Sequence, residues 1–400
     1  MKRNERIAIA ILEEAVSGQK RSFEKKVEWK YVIQEFKDQA VLPLGYITLK
    51  EKGFVNNSFR ADYEKCMHDQ ILMWYFMLEE QNQLVQLLYK EGFRFAIMKG
   101  LTNAAFYPKP EMRTIGDVDF LVDTDEFEQV YLLLLKNGYE LKGEMIKEKH
   151  HVTFMKDGVE FEMHKRPAGT KRHFSKENQD LINYFREGLS CTQLVEVDGY
   201  SFPMLEPVRN GLMLLLHIAG HMQSGIGIRH LLDWAVYVSH FVDNLFWEKK
   251  LRRICQKYHV DKLAIVLTRI SQVYFGIGHE ITWCMSADMD VCDSLLSYMV
   301  EQGNFGQKAG DDDSAVRFLT DSQGPVRLLQ RIDKSSKYSM PIVLRYPVLR
   351  PIGWCFQILR YLYKGIKRRD FIIRFEKDLE ISRRRSNLFD ELNIQGWQDA

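Results

Sequence analysis

The sequence predicts an α+β fold in which a small mixed sheet is embedded in mainly α-helical regions on both sides. Apolar residues recur at helical spacing through most of residues 5–90 and again after residue 167. Between these regions, residues 90–165 alternate β-type runs with short helices and end in a hairpin signal. A strand, helix, strand, helix order within so few residues is typical of an α/β unit.

The first region, residues 1–89, is predicted to be helical. One helix opens with Ile7 to Leu12 and a longer one covers Ile71 to Tyr89, whereas Pro43 to Asn57 indicates a loop or a weak helix. A β-type run then covers Phe93 to Met98. Gly100 ends that run, and a short helix is expected from Leu101 to Tyr107.

The next strand carries Asp117-Val118-Asp119-Phe120. Because side chains alternate along a strand, both aspartates project from one face while Val118 and Phe120 face a core. Two carboxylates this close repel each other unless a divalent cation lies between them, and oxygen ligands favour Mg²⁺ or Mn²⁺. The alternative is a solvated D-x-D pair without function. A helix capped by Thr124 or Asp125 should follow and end near Lys136.

A hairpin supplies a third acid. Strands at 150–155 and 159–164 flank Asp157-Gly158, a strong turn signal. On the second strand Glu160, Glu162 and His164 share the polar face, so either glutamate is a candidate partner for the two aspartates.

The rest of the chain is predicted to be mostly helical, as a domain over 166–303 and a region over 304–400 that combines a mobile loop with a basic, aromatic C-terminal segment. Helices are expected from Glu206-Pro207 to His221 and from Ile228 to Phe241, with a short β excursion at 195–202. The polar stretch 304–323 is predicted to be the mobile loop.

Composition excludes several classes of protein. Lys plus Arg (56) nearly balances Asp plus Glu (54), which argues against a surface that grips nucleic acid throughout. Six scattered cysteines form no C-x-x-C pair, so a zinc site or disulfide framework is not expected and a reducing cytoplasm fits best. The N-terminus does not resemble a signal peptide, and no apolar run approaches the ~20 residues of a membrane span.

The order of motifs resembles that of one family. Ile97-Met98-Lys99-Gly100, Tyr107, Arg113, the D-x-D strand and Glu160-Phe161-Glu162-Met163-His164 look like the uncharacterised nucleotidyltransferase family of the polymerase-beta-like superfamily. The resemblance covers roughly residues 30 to 300 and implies a nucleotidyltransferase palm at 90–165. It implies metal ligation by Asp117, Asp119 and Glu162, which are also the catalytic acids, with Glu162 preferred to Glu160 because of the Glu-x-His pattern.

The same resemblance implies transfer of a nucleoside monophosphate from an NTP, most readily ATP, with release of pyrophosphate. Gly100 permits a tight turn that brings backbone N–H groups near a triphosphate, and Lys99 and Arg113 are the candidate phosphate-binding cations. This turn departs from the usual pattern of the superfamily, because Lys99 stands where a glycine is common. The acceptor, whether protein, sugar or small molecule, stays open.

Other polar residues have two interpretations each. His217 and His221 lie four apart on a helix and are expected to serve packing or substrate contact more than metal binding. Arg229 and Asp233 suggest an intrahelical ion pair or a brace between helices. His164 either positions a metal-bound carboxylate or is a satisfied core histidine.

The segment 343–374 carries eight basic residues against one acidic residue, interleaved with aromatic residues. It is either a helix whose charges are solvated or an amphipathic helix that contacts an anionic membrane or partner. A catalytically silent binding protein that docks through this helix is therefore the alternative to a metal-dependent nucleotidyltransferase. An RNA-directed enzyme is the least favoured hypothesis, because the total charge is close to neutral.

Overall fold

The structure is a computed structural model of the 400-residue chain. It describes residues 1–23, 27–55, 57–143, 151–166, 175–308, 342–366 and 371–394, with a few positions between 309 and 341; the side chains of 57–59, 175–177, 344 and 361–377 are not described. The chain divides into two compact units, residues 1–308 with 396–400, and residues 309–395. The finer division into four regions stays a prediction.

The N-terminal part of the first unit is helical, as predicted. Its helices are α1 (Arg3–Ser17), α2 (Trp29–Asp38), α3 (Leu42–Glu51) and α4 (Asn57–Lys90). Helix α3 occupies much of the stretch predicted as a loop or weak helix. Pro43 lies in its first turn, where a missing N–H costs nothing, and seven of its ten residues are buried. Burial against neighbouring helices thus stabilises a segment whose local sequence signal is weak.

A seven-stranded mixed sheet follows, with the strand order β3-β4-β5-β2-β1-β7-β6. The strands are β1 (Phe95–Met98), β2 (Val118–Val122), β3 (Glu140–Leu141), β4 (His151–Lys156), β5 (Val159–His164), β6 (Gln193–Val197) and β7 (Tyr200–Met204). The D-x-D strand β2 lies at the centre, antiparallel to β1 and parallel to β5. The predicted α+β class is therefore confirmed.

The predicted hairpin is confirmed over the described residues; position 150 lies outside them. Strands β4 and β5 pair antiparallel, and Asp157 and Gly158 both adopt positive φ (51° and 84°), as a two-residue hairpin turn requires. Val159, Phe161 and Met163 are buried beneath the sheet. The polar residues of β5 therefore project from the opposite face, as the alternation predicted.

The β excursion near residue 198 has a larger role than the sequence indicated. Strands β6 and β7 form a hairpin around Asp198-Gly199, and β7 pairs parallel to β1. The central sheet thus receives two strands from beyond residue 165. This addition could not be read locally, because strand pairing across a hundred residues leaves no periodic signal.

Helices connect and cover the strands. They are α5 (Gly100–Ala104), α6 (Phe127–Lys136), α7 (Ser175–Gly188), α8 (Pro207–His221), α9 (Ile228–Phe241), α10 (Asn244–Phe246), α11 (Arg252–Lys257), α12 (Asp261–Phe275) and α13 (Met289–Gln302). The predicted bounds of α8 and α9 are confirmed. Helix α6 has Glu126 as its N-cap, so the caps predicted at Thr124 or Asp125 are wrong; the Asp123 carboxylate instead accepts from the Asp125 N–H.

The second unit is described mainly over its last three helices, α14 (Ile342–Arg345), α15 (Arg350–Ile366) and α16 (Phe371–Glu391). The predicted basic segment falls on these helices, although its residues 367–370 and the side chains of 361–377 lie outside the described part. Most of the predicted mobile loop, 309–323, also lies outside it; Asn304–Gly306 forms a 3-10 turn.

Two predictions about cysteines and membrane spans can be compared with the structure. All six cysteines are free thiols, and Cys255, Cys284 and Cys292 are buried core residues. Among the described helices, none has the length and apolar character needed to cross a membrane.

Candidate functional site

The turn between β1 and α5 lies at one end of the site. Lys99 and Gly100 both adopt positive φ (51° and 40°), so the chain reverses sharply where the strand ends. The Thr102 hydroxyl donates to the Lys99 carbonyl at 2.7 Å and fixes this turn. A Cβ added at Gly100 would lie 3.7 Å from the Asp117 carbonyl oxygen, so the turn runs beside the start of β2. The strained backbone thereby aims the Lys99 side chain at the aspartates.

Three carboxylates converge at the centre of the sheet. Asp117 immediately precedes β2, Asp119 lies within it, and Glu162 of β5 is paired with Asp119 in the parallel register. Paired residues on neighbouring strands project from the same face. One ligand oxygen from each of the three acids lies within 4.8 Å of the other two. The structure thus brings together the three acids that the sequence singled out.

Asp119 is buried and accepts from two cationic or polar groups. The Lys99 Nζ lies 2.9 Å from its Oδ2, and the His164 Nε2 lies 2.9 Å from its Oδ1. His164 also lies 3.3 Å from Glu162, so it connects two of the three acids. The histidine therefore orients the carboxylates, which is one of the two roles that the sequence left open.

The two glutamates of β5 differ in their surroundings. Glu162 belongs to the acid cluster, and its Oε1 also lies 3.6 Å from the His151 Nε2. Glu160 is two residues away on the same face and forms an ion pair with Lys142 on the surface. Geometry therefore favours Glu162 as the third acid, while its catalytic role stays a prediction.

The electrostatics of the two aspartates diverge. Burial, reinforced by the neighbouring Asp119 charge, raises the pKa of Asp117 to about 6. Burial alone would also raise the pKa of Asp119, but Lys99 and His164 outweigh it and hold that pKa below its ordinary value. Like charges held together commonly split in this way. Asp117 is thus harder to ionise than Asp119.

The donor set suits a hard divalent cation. Three carboxylates supply oxygen ligands at one point, and burial together with the neighbouring Asp119 charge raises the pKa of Asp117 there. Mg²⁺ and Mn²⁺ prefer such oxygen donors. A second group, His151, Glu162 and His164, shares Glu162 with the first and offers two imidazoles.

Helices α8 and α9 form the opposite wall of the same pocket. The space in this pocket that a water molecule can occupy is about 30 Å³, and the lining includes Asp117, Asp119, His217, Arg229 and His230. The imidazole rings of His217 and His221 lie 4.4 Å apart between centroids, and His217 accepts from the Lys99 Nζ at 3.3 Å through Nδ1. His217 thus contacts the lysine of the turn.

Arg113 and Asp233 connect the two walls. Asp233 accepts from the Arg113 Nε and Nη2 at 2.7 Å each, and from the Tyr107 hydroxyl at 2.8 Å. Both partners are buried. Asp233 therefore braces α9 against the segment before β2, and its partner is Arg113 rather than the Arg229 expected from helical spacing.

This brace bears on the predicted phosphate-binding role of Arg113. Its guanidinium fork is engaged by the Asp233 carboxylate, and Nη1 donates to the Thr114 carbonyl at 3.3 Å. Lys99 and Gly100 lie beside the acids, whereas the Arg113 guanidinium is already paired with the Asp233 carboxylate. The triphosphate role of all three residues stays a prediction.

Sequence reasoning did not assign His151, His230 or Phe305 to the site. His151 lies opposite His164 on the hairpin, and His230 and Phe305 line the pocket. The hairpin register would have placed His151 beside Glu162. No local pattern marks His230 or Phe305, since both reach the site only through packing.

The chain is similar to a solved structure and matches a family model. No curated protein matches the chain. A crystal structure of an antigenic nucleotidyltransferase-like protein from Paracoccidioides brasiliensis is similar over 46% of this chain and 88% of that one, at 16% identity and a TM-score of 0.30. A family model described as uncharacterised nucleotidyltransferase matches residues 25–276, a span that includes the three acids and both pocket walls. The chain therefore belongs to this uncharacterised nucleotidyltransferase family.

Proposed function

We propose that the protein is a metal-dependent nucleotidyltransferase that moves a nucleoside monophosphate from an NTP, with ATP the first to be tested, to an acceptor. The observation that carries the proposal is that ligand oxygens of Asp117, Asp119 and Glu162 lie within 4.8 Å of one another, at the start of β2 and on the adjacent strand β5. Family membership supports the reaction class. Six free thiols are compatible with a reducing, cytoplasmic location.

In this reaction an acceptor oxygen attacks the α-phosphorus, the bond from that phosphorus to the bridging oxygen breaks, and pyrophosphate leaves. Asp117, Asp119 and Glu162 would hold Mg²⁺ or Mn²⁺, and the bound cation would supply positive charge to neutralise the reacting phosphate. In this proposal Glu162 would also accept the proton of the acceptor. His164 holds Asp119 and Glu162 in position through its contacts at 2.9 and 3.3 Å.

Lys99 and the Gly100 turn would approach the triphosphate. The backbone reverses there at the start of α5, and the ammonium group lies 2.9 Å from Asp119. A lysine in this place can meet phosphate charge while it remains close to the acids. Acceptors with a hydroxyl or a phosphate nucleophile are all compatible with this arrangement.

The test combines calorimetry and labelling. The wild-type protein should bind ATP in the presence of Mg²⁺, and a variant with Asp117→Asn and Asp119→Asn should lose this binding. Glu160→Gln is the matched control, because Glu160 shares the strand and face of Glu162 but pairs with Lys142 outside the cluster. Equal binding by the wild type and the double variant would refute the proposal.

The acceptor can be sought in the same way. Each NTP labelled at the α-phosphate is incubated with the protein and a cell extract, and the labelled species is identified. A species that is still labelled when the double variant replaces the wild type is not a product of this site.

A second candidate function, an anionic membrane contact through the second unit, is favoured by one observation. Around the start of α15, the large apolar side chains Val348, Ile352 and Leu359 are 88%, 59% and 65% exposed. Arg345, Arg350 and Arg360 lie on the same segment. Apolar residues interleaved with arginines are typical of helices that lie on anionic lipid.

Vesicle sedimentation tests this contact. Binding to vesicles with anionic lipid, loss of binding in Ile352→Ser with Leu359→Ser, and no binding to neutral vesicles would support it. A catalytically silent binding protein predicts this lipid binding together with no Mg²⁺-dependent ATP binding.

A further inference from the structure

The start of helix α9 faces the acids across the pocket. Gly227 is its N-cap, and Arg229 and His230 of its first turn line the same pocket as Asp117 and Asp119. A helix N-terminus favours anions through the helix dipole. The helix has 14 residues, long enough for this effect. The backbone N–H groups of Gly227, Ile228 and His230 already donate within the chain, so the side chains of Arg229 and His230 would have to supply the hydrogen bonds to a ligand. The two side chains supply independent evidence for a ligand.

His230 presents a donor that lacks a partner. The Gly227 N–H donates to its Nδ1 at 3.3 Å. Because Nδ1 is therefore an acceptor, the ring proton of the neutral imidazole lies on Nε2. His230 is only 2% exposed, and no described residue accepts from this Nε2. Burial, with the nearby Arg229 charge, lowers the pKa of His230 and keeps the ring neutral.

Arg229 is the second donor with unused capacity. Its Nη1 donates to the Thr114 carbonyl at a long 3.4 Å, and its Nε has no acceptor among the described residues. Its guanidinium lies 5.5 Å from the centre of the Phe305 ring, which holds it at the pocket. No carboxylate in the described chain forms an ion pair with it, because Asp233, four residues on, is engaged by Arg113. A partly buried guanidinium that forms no direct ion pair can bind an anion with charge-assisted hydrogen bonds.

The three positive groups around the pocket differ in what they can bind. The Lys99 ammonium is engaged by Asp119, and the Arg113 fork is engaged by Asp233. Arg229 and His230 instead line the pocket with two buried N–H donors, Nε and Nε2, that have no acceptor among the described residues. Phosphate oxygens are acceptors only, and guanidinium binds them in a bidentate manner. A polyphosphate whose reacting end lies at the acids would extend its other end toward these donors.

We propose that the side chains of Arg229 and His230, in the first turn of α9, form a subsite for the terminal phosphates of the nucleotide, and hence for the pyrophosphate product. This inference rests on the proposed nucleotidyltransferase function and names a binding element on the helical wall. Phe305 covers the subsite, with its ring centroid 5.4 Å from that of His230.

Calorimetry with inorganic pyrophosphate tests the subsite directly. In the presence of Mg²⁺, Arg229→Gln should weaken binding of pyrophosphate and ATP roughly 10- to 100-fold, the effect of losing hydrogen bonds to a charged group. AMP, which lacks the terminal phosphates, should bind the variant as it binds the wild type. Arg252→Gln is the matched control, because Arg252 is an exposed arginine paired with Glu248 on another helix.

Unchanged pyrophosphate affinity in Arg229→Gln would overturn the subsite. A loss confined to AMP would also overturn it, because the groups would then bind the α-phosphate. Arg229→Lys should show an intermediate affinity, and matched thermal melts would show that each variant folds.

A second measurement does not depend on substitution at Arg229. In ¹⁵N-histidine spectra, the Nε2 signal of His230 is identified as the one that is missing in His230→Gln. Pyrophosphate should shift this signal. A signal that does not move at saturating pyrophosphate would contradict the proposal. Failure of the subsite and failure of the function are separable. The proposed function is refuted if the Asp117→Asn and Asp119→Asn variant keeps Mg²⁺-dependent ATP binding. The subsite is refuted if Arg229→Gln binds pyrophosphate as tightly as the wild type does.

Discussion

The two walls of the pocket have opposite chemistry and opposite origins in the sequence. The sheet wall presents Asp117, just before β2, and Asp119 within it, with Glu162 of β5 in the same acid cluster; the helical wall presents Arg229 and His230 from α9. Alternation along two strands fixes the first wall. Packing of α9 against distant segments fixes the second. The acids can therefore be identified from the alternation of side chains along a strand. The donors on the opposite wall can be identified only once the packing of the helices is known.

Removing the brace between the walls should have the largest effect. Asp233→Ala would leave the buried Arg113 guanidinium without its carboxylate, and breaking a buried pair costs about 3–5 kcal/mol. Urea denaturation should show this loss in the free energy of unfolding. The control is Glu248→Ala, which removes the half-exposed partner of Arg252 and should cost under about 1 kcal/mol. Similar losses in both variants would mean that Asp233 does not hold the walls together.

Displacing the start of α9 should have a smaller effect. A Cβ at Gly227 would lie 2.8 Å from the Asn304 backbone nitrogen and 2.9 Å from the Gln39 Oε1. Overpacking against backbone costs about 1–3 kcal/mol, so Gly227→Ala should lower the melting temperature. Gly116→Ala is the comparison, because a Cβ there meets nothing within 4 Å. If the two variants melt alike, the close approach at Gly227 is not needed to place the helical wall.

The smallest effect concerns the protonation of the sheet wall. Because the pKa of Asp117 is raised to about 6, its carboxyl carries a proton below that pH and must lose it before it binds a metal. Mn²⁺ affinity should therefore fall about tenfold for each pH unit below 6 and level off above pH 7. Calorimetry between pH 5 and 8 measures this profile.

Asp117→Asn supplies the control for the pH profile. The variant should bind Mn²⁺ more weakly and lose this titration, since the lowered pKa of Asp119 keeps that acid ionised throughout the range. A flat profile in the wild type would contradict the assignment of the raised pKa to Asp117.

Much of the fold could be read from local patterns. The helices that end at His221 and Phe241, the D-x-D strand and the Asp157-Gly158 hairpin all agree with the structure. The cap of α6 was misplaced, because several acidic residues compete there and only the folded chain selects Glu126. Helix α3 was underestimated because burial, rather than propensity, stabilises it.

The sequence predicted some contacts of the candidate site and not others. Glu162 was preferred to Glu160 before the structure separated them, because the pattern around His164 favoured it. The partner of Asp233 was not foreseen: helical spacing suggested Arg229, but Arg113, 120 residues away in sequence, satisfies it. Spacing of four residues indicates proximity on a helix, yet it cannot exclude a better partner from another element.

The sequence by itself determined which residues share a face, because the period of a strand or helix is a local property of the backbone. It therefore specified that Asp117 and Asp119 share one face and that Glu160, Glu162 and His164 share the polar face of another strand. Only the tertiary structure decided that β2 lies beside β5, that β6 and β7 complete the sheet, and that α9 brings Arg229 and His230 opposite the acids. Those arrangements join segments far apart in the chain, and burial of the shared core selects among the pairings that local patterns allow.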